Sequence, residues 1–444
     1  MTQKYAEVTI WKRQFARYAS LNVLSMIGLA CYFLVDTFFI SRACGPLGLT
    51  ALNLAIPAYS LMHGVGLMLG MGGATKYRVC RAAGNRFEAD RSFSQAFWAA
   101  SAGAVFFVIL SLSASGPMTR MLGANAEVYG MTHTYLKIIL LFSPAFMLDD
   151  VMVAMVRNDG APHLASAAIL AGSFANIFGD YILIFPCGLG IRGAVLATGL
   201  SPVISLLVLS PHWLRTRNGF HFVKSTDRSA DFRRLLSLSS IGFPSFVAEF
   251  ATGIVIFIFN FLILRLSGNV GVAAYGVVTN LSLVAIYLLT GLAQGMQPLV
   301  SESFGKGETV SMHAYRRYAL ISMIGLSAII YIALSVWADP VVAVFNSQHG
   351  GKLQEMAVMG IRLYFTALPF AGYNLITAMY FSSAERPKPA QIISLSRGLF
   401  VIIPMAFLMA HFFGMTGIWL TFPATEGIVA LISASLSLRE RRTA

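Results

Sequence analysis

From residue 18 to residue 41 the chain carries one charged side chain, Asp36. Stretches like it recur along its length. A helix needs about 20 apolar residues to cross the hydrocarbon of a bilayer. Apolar runs between charged or Gly/Pro-rich breaks predict twelve spans: 17–41, 48–75, 93–115, 129–156, 162–186, 190–213, 237–265, 271–299, 315–338, 354–382, 389–411 and 414–437. Only 11% of the residues are charged, against about a quarter in a soluble globular protein. So few charges cannot make a water-facing surface, whereas a lipid-facing one wants apolar side chains. The expected fold class is an all-α integral membrane protein of twelve transmembrane helices.

A formal charge of +13 would point to nucleic acid if it formed one patch. Here the basic residues lie between the spans, the pattern of membrane orientation and of contact with anionic lipid headgroups. One set of connections, with the two chain ends, holds 25 of the 32 Lys and Arg residues. It includes Arg78, Arg81, Arg91, Arg157, Arg215, Arg217, Lys224, Arg234, Arg316, Arg386 and Arg397. The alternate connections hold mainly Arg42, Arg120, Arg192, Arg265 and Lys352. The positive-inside rule then puts both termini in the cytoplasm, which needs an even number of spans. A multi-pass protein of the inner (plasma) membrane is expected. Cys31, Cys44, Cys80 and Cys187 show no metal spacing and read as small unpaired hydrophobes. Met1 to Arg17 is polar and basic, with no small-residue cleavage site after a short apolar region, so no removed signal peptide is expected.

The two halves resemble each other at an offset of about 221–225 residues. Gly45 and Gly48 map onto Gly268 and Gly271, Leu69-Gly70-Met71 onto Gln294-Gly295-Met296, and Pro162 onto Pro387. Gly190-Ile191-Arg192-Gly193 maps onto Gly414-Met415-Thr416-Gly417. Six helices repeated once in one orientation give two lobes related by a pseudo-two-fold axis along the membrane normal, a common transporter plan. The expected division is 1–214 for the first lobe, 215–234 for a charged cytoplasmic linker and 235–444 for the second lobe.

A charge inside the bilayer costs a few kcal/mol or more, so each buried ionisable residue is a functional candidate. Asp36 is flanked by apolar residues in the first span. Asp180 in the fifth span follows Asn176 by four residues, which puts both on one helix face. A carboxylate beside an amide carbonyl suits a proton or a small hard cation. Asp149 and Asp150 in the fourth span point about 100° apart, so one of them faces the bundle. Thr198 is a further oxygen. Glu249, Gln294, Gln297, Asn374 and Glu426 are the second-half candidates, while Asn260 stands where the repeat places the counterpart of Asp36. His63 in the second span reads more simply as a packed histidine. Two carboxylates sharing a buried site cannot both ionise cheaply. Neutralising them with H⁺ or Na⁺ changes which helix packing is favoured.

At these residues the chain resembles the multidrug and toxic compound extrusion (MATE) family, in its bacterial DinF-like branch. The likeness runs over nearly the whole chain. It rests on Val35-Asp36-Thr37, on Gly70 to Thr75 running to Arg81 and Gly84, and on Asn176 to Asp180 followed by Gly190, Gly193, Ala197 and Thr198. In the second half it rests on Ala274-Tyr275-Gly276, Gly291, Gln294 to Pro298, Trp419, Phe422-Pro423 and Glu426. The resemblance implies two six-helix lobes, a cavity open to one side at a time, and export of small amphipathic organic cations in exchange for inward H⁺ or Na⁺. It implies an ion-coupling site in the first lobe at Asp36, Asn176, Asp180 and Thr198, which is also where Na⁺ would bind. Asp150 adds an acid to this set, where similar proteins often have Asn. Glu249, Gln294, Gln297, Asn374 and Tyr275 are the expected substrate-cavity residues. The first span lacks the proline of many relatives, with Leu21 and Asn22 in that region, so bending there would fall to Gly28.

The rival readings are a flippase or metabolite exporter, an intramembrane enzyme and a channel. A lipid-linked precursor flippase or metabolite exporter of the same superfamily would want cavity cations to hold a pyrophosphate, and only Lys137 and Arg362 are read well inside spans. An enzyme would need a nucleophile–base pair or a metal set. The chain has no His-x-x-x-His, Gly-x-Ser-x-Gly or Walker-type loop. No enzyme activity, cofactor or nucleic-acid partner is expected, and one chain with both repeats reads as a working monomer.

Overall fold

The computed structural model describes residues 2–214, 219–223, 228–345 and 351–443. Arg215, Arg217 and Lys224 of the basic linker lie outside them. Nine stretches are long and apolar enough to cross a membrane, or ten if one bent pair is a single span. The first eight of these and the bent pair are, in chain order, α1 (Val8–Gly45), α2 (Leu47–Ala82), α3 (Arg86–Met121), α4 (Tyr129–Leu141 and Ser143–Asn158, bent by 48°), α5 (Pro162–Ile184), α6 (Ile191–Trp213), α7 (Asp231–Gly268), α8 (Val270–Gly305) and α9 (Thr309–Val336), and the ninth is Pro387–Glu440. The pair Gly351–Tyr364 and Leu368–Ser383, joined by the tight turn Phe365–Ala367, forms α10. The run Pro387–Glu440 is divided at Gly414 into α11 and α12. Among the described residues this division gives twelve spans, as the sequence predicts, with the short helix Ala338–Phe345 between α9 and α10.

The helices outrun the predicted spans. α1, α2, α3, α7 and α8 are 36 to 38 residues long, because their polar ends continue the helix past the apolar window. Local chemistry sets several ends. Asn85 caps α3 by accepting the Glu88 amide at 3.1 Å, and Pro162 occupies the first turn of α5.

The repeat reappears as backbone conformation. Gly45 (φ 63°, ψ −159°) breaks α1 from α2, and Gly268 (φ 61°, ψ −157°) breaks α7 from α8. Gly190 and Gly414 also share positive φ, 53° and 56°. L-residues avoid this region, so glycine is required at such breaks. Gly28 is no hinge. It lies in regular helix, and the space of its missing Cβ is taken by Leu170, whose Cδ2 would be 2.5 Å away.

The chain packs as two compact units, Met1–Val23 with Ala251–Val300 and Val310–Ala444, and Leu24–Phe250 with Ser301–Thr309. The units therefore do not divide at the 215–234 linker. Residues 235–250 pack with the first repeat and the first 23 residues with the second. Glycine crossings explain the exchange. A Cβ on Gly72 of α2 would lie 1.9 Å from the Leu238 carbonyl oxygen of α7, and one on Gly242 would lie 1.8 Å from that of Met68. In the other unit a Cβ on Gly295 of α8 would lie 2.7 Å from Cα of Ala19 on α1. Backbones meet at each crossing because no side chain stands between them.

Phe106, Ile109, Leu112, Leu207, Ile329, Val336 and Leu431 are all more than half exposed. On a water-soluble monomer such a surface would be a liability; in a bilayer it is the solvent-facing surface. The polar ends are tied by charge. Asp159 accepts the Tyr77 hydroxyl at 2.5 Å and the Gly219 amide at 2.9 Å, lies 2.8 Å from His212 Nε2, and pairs with Arg81. Arg91 donates twice to Asp231, at 3.0 and 2.8 Å, while Arg78 pairs with Glu302 and Arg234 with Glu88.

Candidate functional site

Small residues bring α5 and α6 into backbone contact. Cβ atoms on Gly172, Gly179 and Gly193 would lie 3.0 Å from the Ser201 carbonyl oxygen, 3.1 Å from Ala197 and 2.7 Å from the Leu183 carbonyl carbon. That approach sets Asn176 and Asp180, on the same face as Gly172 and Gly179, against Thr198. α1 joins through the Gly28–Leu170 contact and delivers Asp36. All four side chains are buried, Asn176 and Asp180 completely.

The carboxyl groups of Asp36 and Asp180 lie together and interact electrostatically. With the Asn176 amide assigned so that both of its ends are satisfied, its nitrogen donates to Asp180 Oδ2 at 3.1 Å and its oxygen accepts the Thr198 amide at 3.3 Å. The Thr198 hydroxyl donates to the Ala194 carbonyl at 3.0 Å. Among the described residues, Oδ1 of Asp36 and Oδ1 of Asp180 are buried with no hydrogen-bond partner, a costly arrangement. Tyr135 of α4, 5% exposed, lies beside the site, close enough to interact with both carboxylates. The sequence reading missed it, because a tyrosine in an apolar run carries no signal of its own.

Asp150 is not part of this cluster. Its Oδ2 lies 3.0 Å from Nδ1 of His63, and Asp149 and Glu249 act on the same imidazole. Asp150 thus lies on the side of α4 that faces α2, beside His63 rather than beside Asp36 and Asp180. Glu249 therefore belongs with His63, inside the unit that holds the first-lobe helices.

The other cavity candidates are interior residues of their own unit. Asn374 donates to Glu426 Oε2 at 2.8 Å and accepts from Ser433 at 2.8 Å. Arg397 donates to Glu426 Oε1 from Nε at 3.0 Å and from Nη2 at 2.7 Å. Arg397, counted as a loop cation in the sequence, thus lies in a short π-helical turn, Ser396–Phe400, of α11, and neutralises the buried acid of α12. Arg316, also counted with the loops, is buried over the Tyr380 ring at 4.7 Å and bonded to Ser437. Gln297 is fully buried, Gln294 half-buried, and Tyr275 is enclosed, stacked on Phe259 at 5.4 Å. Among the described residues no group of three His, Cys, Asp or Glu side chains is placed to hold a metal ion.

With this geometry in view, comparison with known proteins gives a consistent result. The MatE family model matches residues 22–182 and 244–408. The multidrug export protein MepA of Staphylococcus saprophyticus is 25% identical over 430 residues, 95% of this chain and 92% of that protein. An outward-facing multidrug resistance MATE family transporter of the MOP superfamily superposes with TM-score 0.90 at 20% identity, over 97% of this chain and 96% of that one. A Vibrio cholerae MATE transporter gives TM-score 0.90 at 18% identity, over 99% of each chain.

Proposed function

The chain belongs to the MatE family, and from that premise we propose that it is a secondary antiporter exporting amphipathic organic cations, in multidrug efflux by alternating access, in exchange for inward H⁺ or Na⁺. The name of the MepA relatives supports the efflux reading. The observation that carries the coupling is the Asp36–Asp180 pair, buried in the membrane region with an unpartnered oxygen on each carboxyl. Two such groups in a low-dielectric site favour a bound proton over full ionisation. The same oxygens, with those of Asn176 and Thr198, would serve Na⁺ as hard ligands. Loading the site removes charge from the α1–α5–α6 contact and biases the packing of these helices. About 2.3 kcal/mol per charge per 100 mV is available to drive that step.

In this reading both termini are cytoplasmic, the protein is a plasma-membrane monomer among anionic lipids, and two six-helix lobes alternate access to a cavity. The test is ethidium efflux from proteoliposomes under an imposed pH gradient or an imposed Na⁺ gradient. Efflux driven by either gradient supports the reading and names the ion. Absence of efflux under both, with the protein inserted and folded, sinks the multidrug reading in favour of a lipid-linked or metabolite substrate.

A further inference from the structure

A second titratable cluster lies within the same unit, apart from the Asp36–Asp180 pair. Its centre is His63 of α2. Nδ1 of this imidazole is 3.0 Å from Asp150 Oδ2 on α4, an ion-pair distance without the alignment of a hydrogen bond. Asp150 is 10% exposed and His63 23%. Glu249 of α7 and Asp149 of α4 are the other acids close enough to interact with His63. Among the described residues, the ion-pair partner in this cluster is His63, with no lysine or arginine paired to Asp149, Asp150 or Glu249.

The place is built for these groups. A Cβ on Gly66 would lie 2.3 Å from Asp150 Oδ2, so the absent side chain is the seat of the carboxylate. A Cβ on Gly70 would lie 2.7 Å from the Asp150 carbonyl oxygen, and one on Gly64 3.1 Å from Phe246 and 3.6 Å from Glu249 Cβ. Three glycines of α2 thus admit α4 on one side and α7 on the other. Tyr59 stacks on the His63 ring at 5.4 Å and 18°, and is held in turn by the edge of Phe146. The imidazole is oriented by stacking, with Nδ1 toward Asp150.

Charge balance then selects the occupant. Three ionised carboxylates around a neutral imidazole would put three negative charges in the membrane region, at several kcal/mol each. Protonating the imidazole pairs one of them, and the remaining acids hold protons or a passing cation. These side chains do not converge closely enough for a metal ion. We propose that His63, Asp150 and Glu249 form a second proton-binding centre, separate from Asp36–Asp180, with the exchangeable proton held on the His63–Asp150 pair. The proposal rests on the antiporter reading only for its use in transport; the proton equilibrium itself does not.

The test is ¹⁵N NMR of the full-length protein, with labelled histidine imidazoles, titrated between pH 5 and 9. His63→Gln identifies the His63 resonance by its loss. In the wild type this resonance titrates. Asp150→Asn moves the transition toward acid by about one unit or more, because the imidazolium loses its anionic neighbour. Asp36→Asn leaves it in place. A His63 resonance that does not titrate, or one that ignores Asp150→Asn, overturns the proposal. A transition displaced by Asp36→Asn makes the two centres one, which also overturns it. Gly66→Ala, which keeps every titratable group, should disturb the same resonance by pushing the Asp150 carboxylate aside. Failed dye efflux with an intact His63–Asp150 titration would reject the antiporter reading alone.

Discussion

The crossing of α2 and α7 yields a quantitative expectation. A Cβ on Gly72 would lie 1.9 Å from the Leu238 carbonyl oxygen, and ordinary contact for such an atom begins at 3.4 Å. The difference, 3.4 − 1.9 = 1.5 Å, must come from separating two backbones, since no flexible side chain stands there to yield. Gly72→Ala should therefore destabilise by about 1–3 kcal/mol, the range for overpacking a tight contact. Gly242→Ala meets the Met68 carbonyl at 1.8 Å and should cost about as much. Both substitutions open the same gap, so the double variant should cost less than the sum by about 1 kcal/mol or more. Gly276 and Gly325 are controls, since a Cβ at either meets nothing within 4 Å. Alanine there should be neutral or gain up to about 1 kcal/mol from helix propensity. The assay is thermal unfolding of the purified protein in detergent, with size-exclusion to verify a monodisperse start. Gly72→Ala as stable as the controls, or strict additivity in the double variant, would refute the reasoning.

Other expectations follow from the buried charges. Arg397→Met leaves Glu426, 1% exposed, without its cation and should cost about 3–5 kcal/mol, whereas Arg397→Met with Glu426→Gln should recover most of it; equal melting of single and double variants would contradict the pairing. Asp159→Asn weakens acceptance from Tyr77, Arg81 and Gly219 together and should lower stability by about 2–4 kcal/mol, as for a buried charge network, with Arg81→Met adding little on top. A full, additive Arg81→Met loss in the Asp159→Asn background would place Arg81 elsewhere.

The fold was largely legible because the bilayer imposes a simple rule on apolar length, and because the repeat marks itself with glycines. Gly45 with Gly268, and Gly190 with Gly414, are visible as pairs in the sequence, and their shared positive φ supplies the physical reason. Helix length was less legible, since apolarity reports only the lipid-spanning part. Asp36, Asn176, Asp180 and Thr198 converge as expected from spacing and resemblance. Partner choice was hidden. Nothing local says that Asp150 turns to His63, or that Arg397 reaches Glu426 across 29 positions. The exchange of residues 1–23 and 235–250 between packing units was hidden for the same reason, since it depends on which glycine meets which backbone.

The most direct test of the coupling assignment runs the exchange in reverse. Proteoliposomes are given an ethidium gradient with no imposed ion gradient, and the opposite flux of H⁺ or Na⁺ is recorded for wild type, Asp36→Asn and Asp180→Asn. The account predicts a dye-driven counterflow of one ion in the wild type and none in either folded variant. Counterflow at the wild-type rate in both variants would contradict it, and the ion would have to be carried elsewhere.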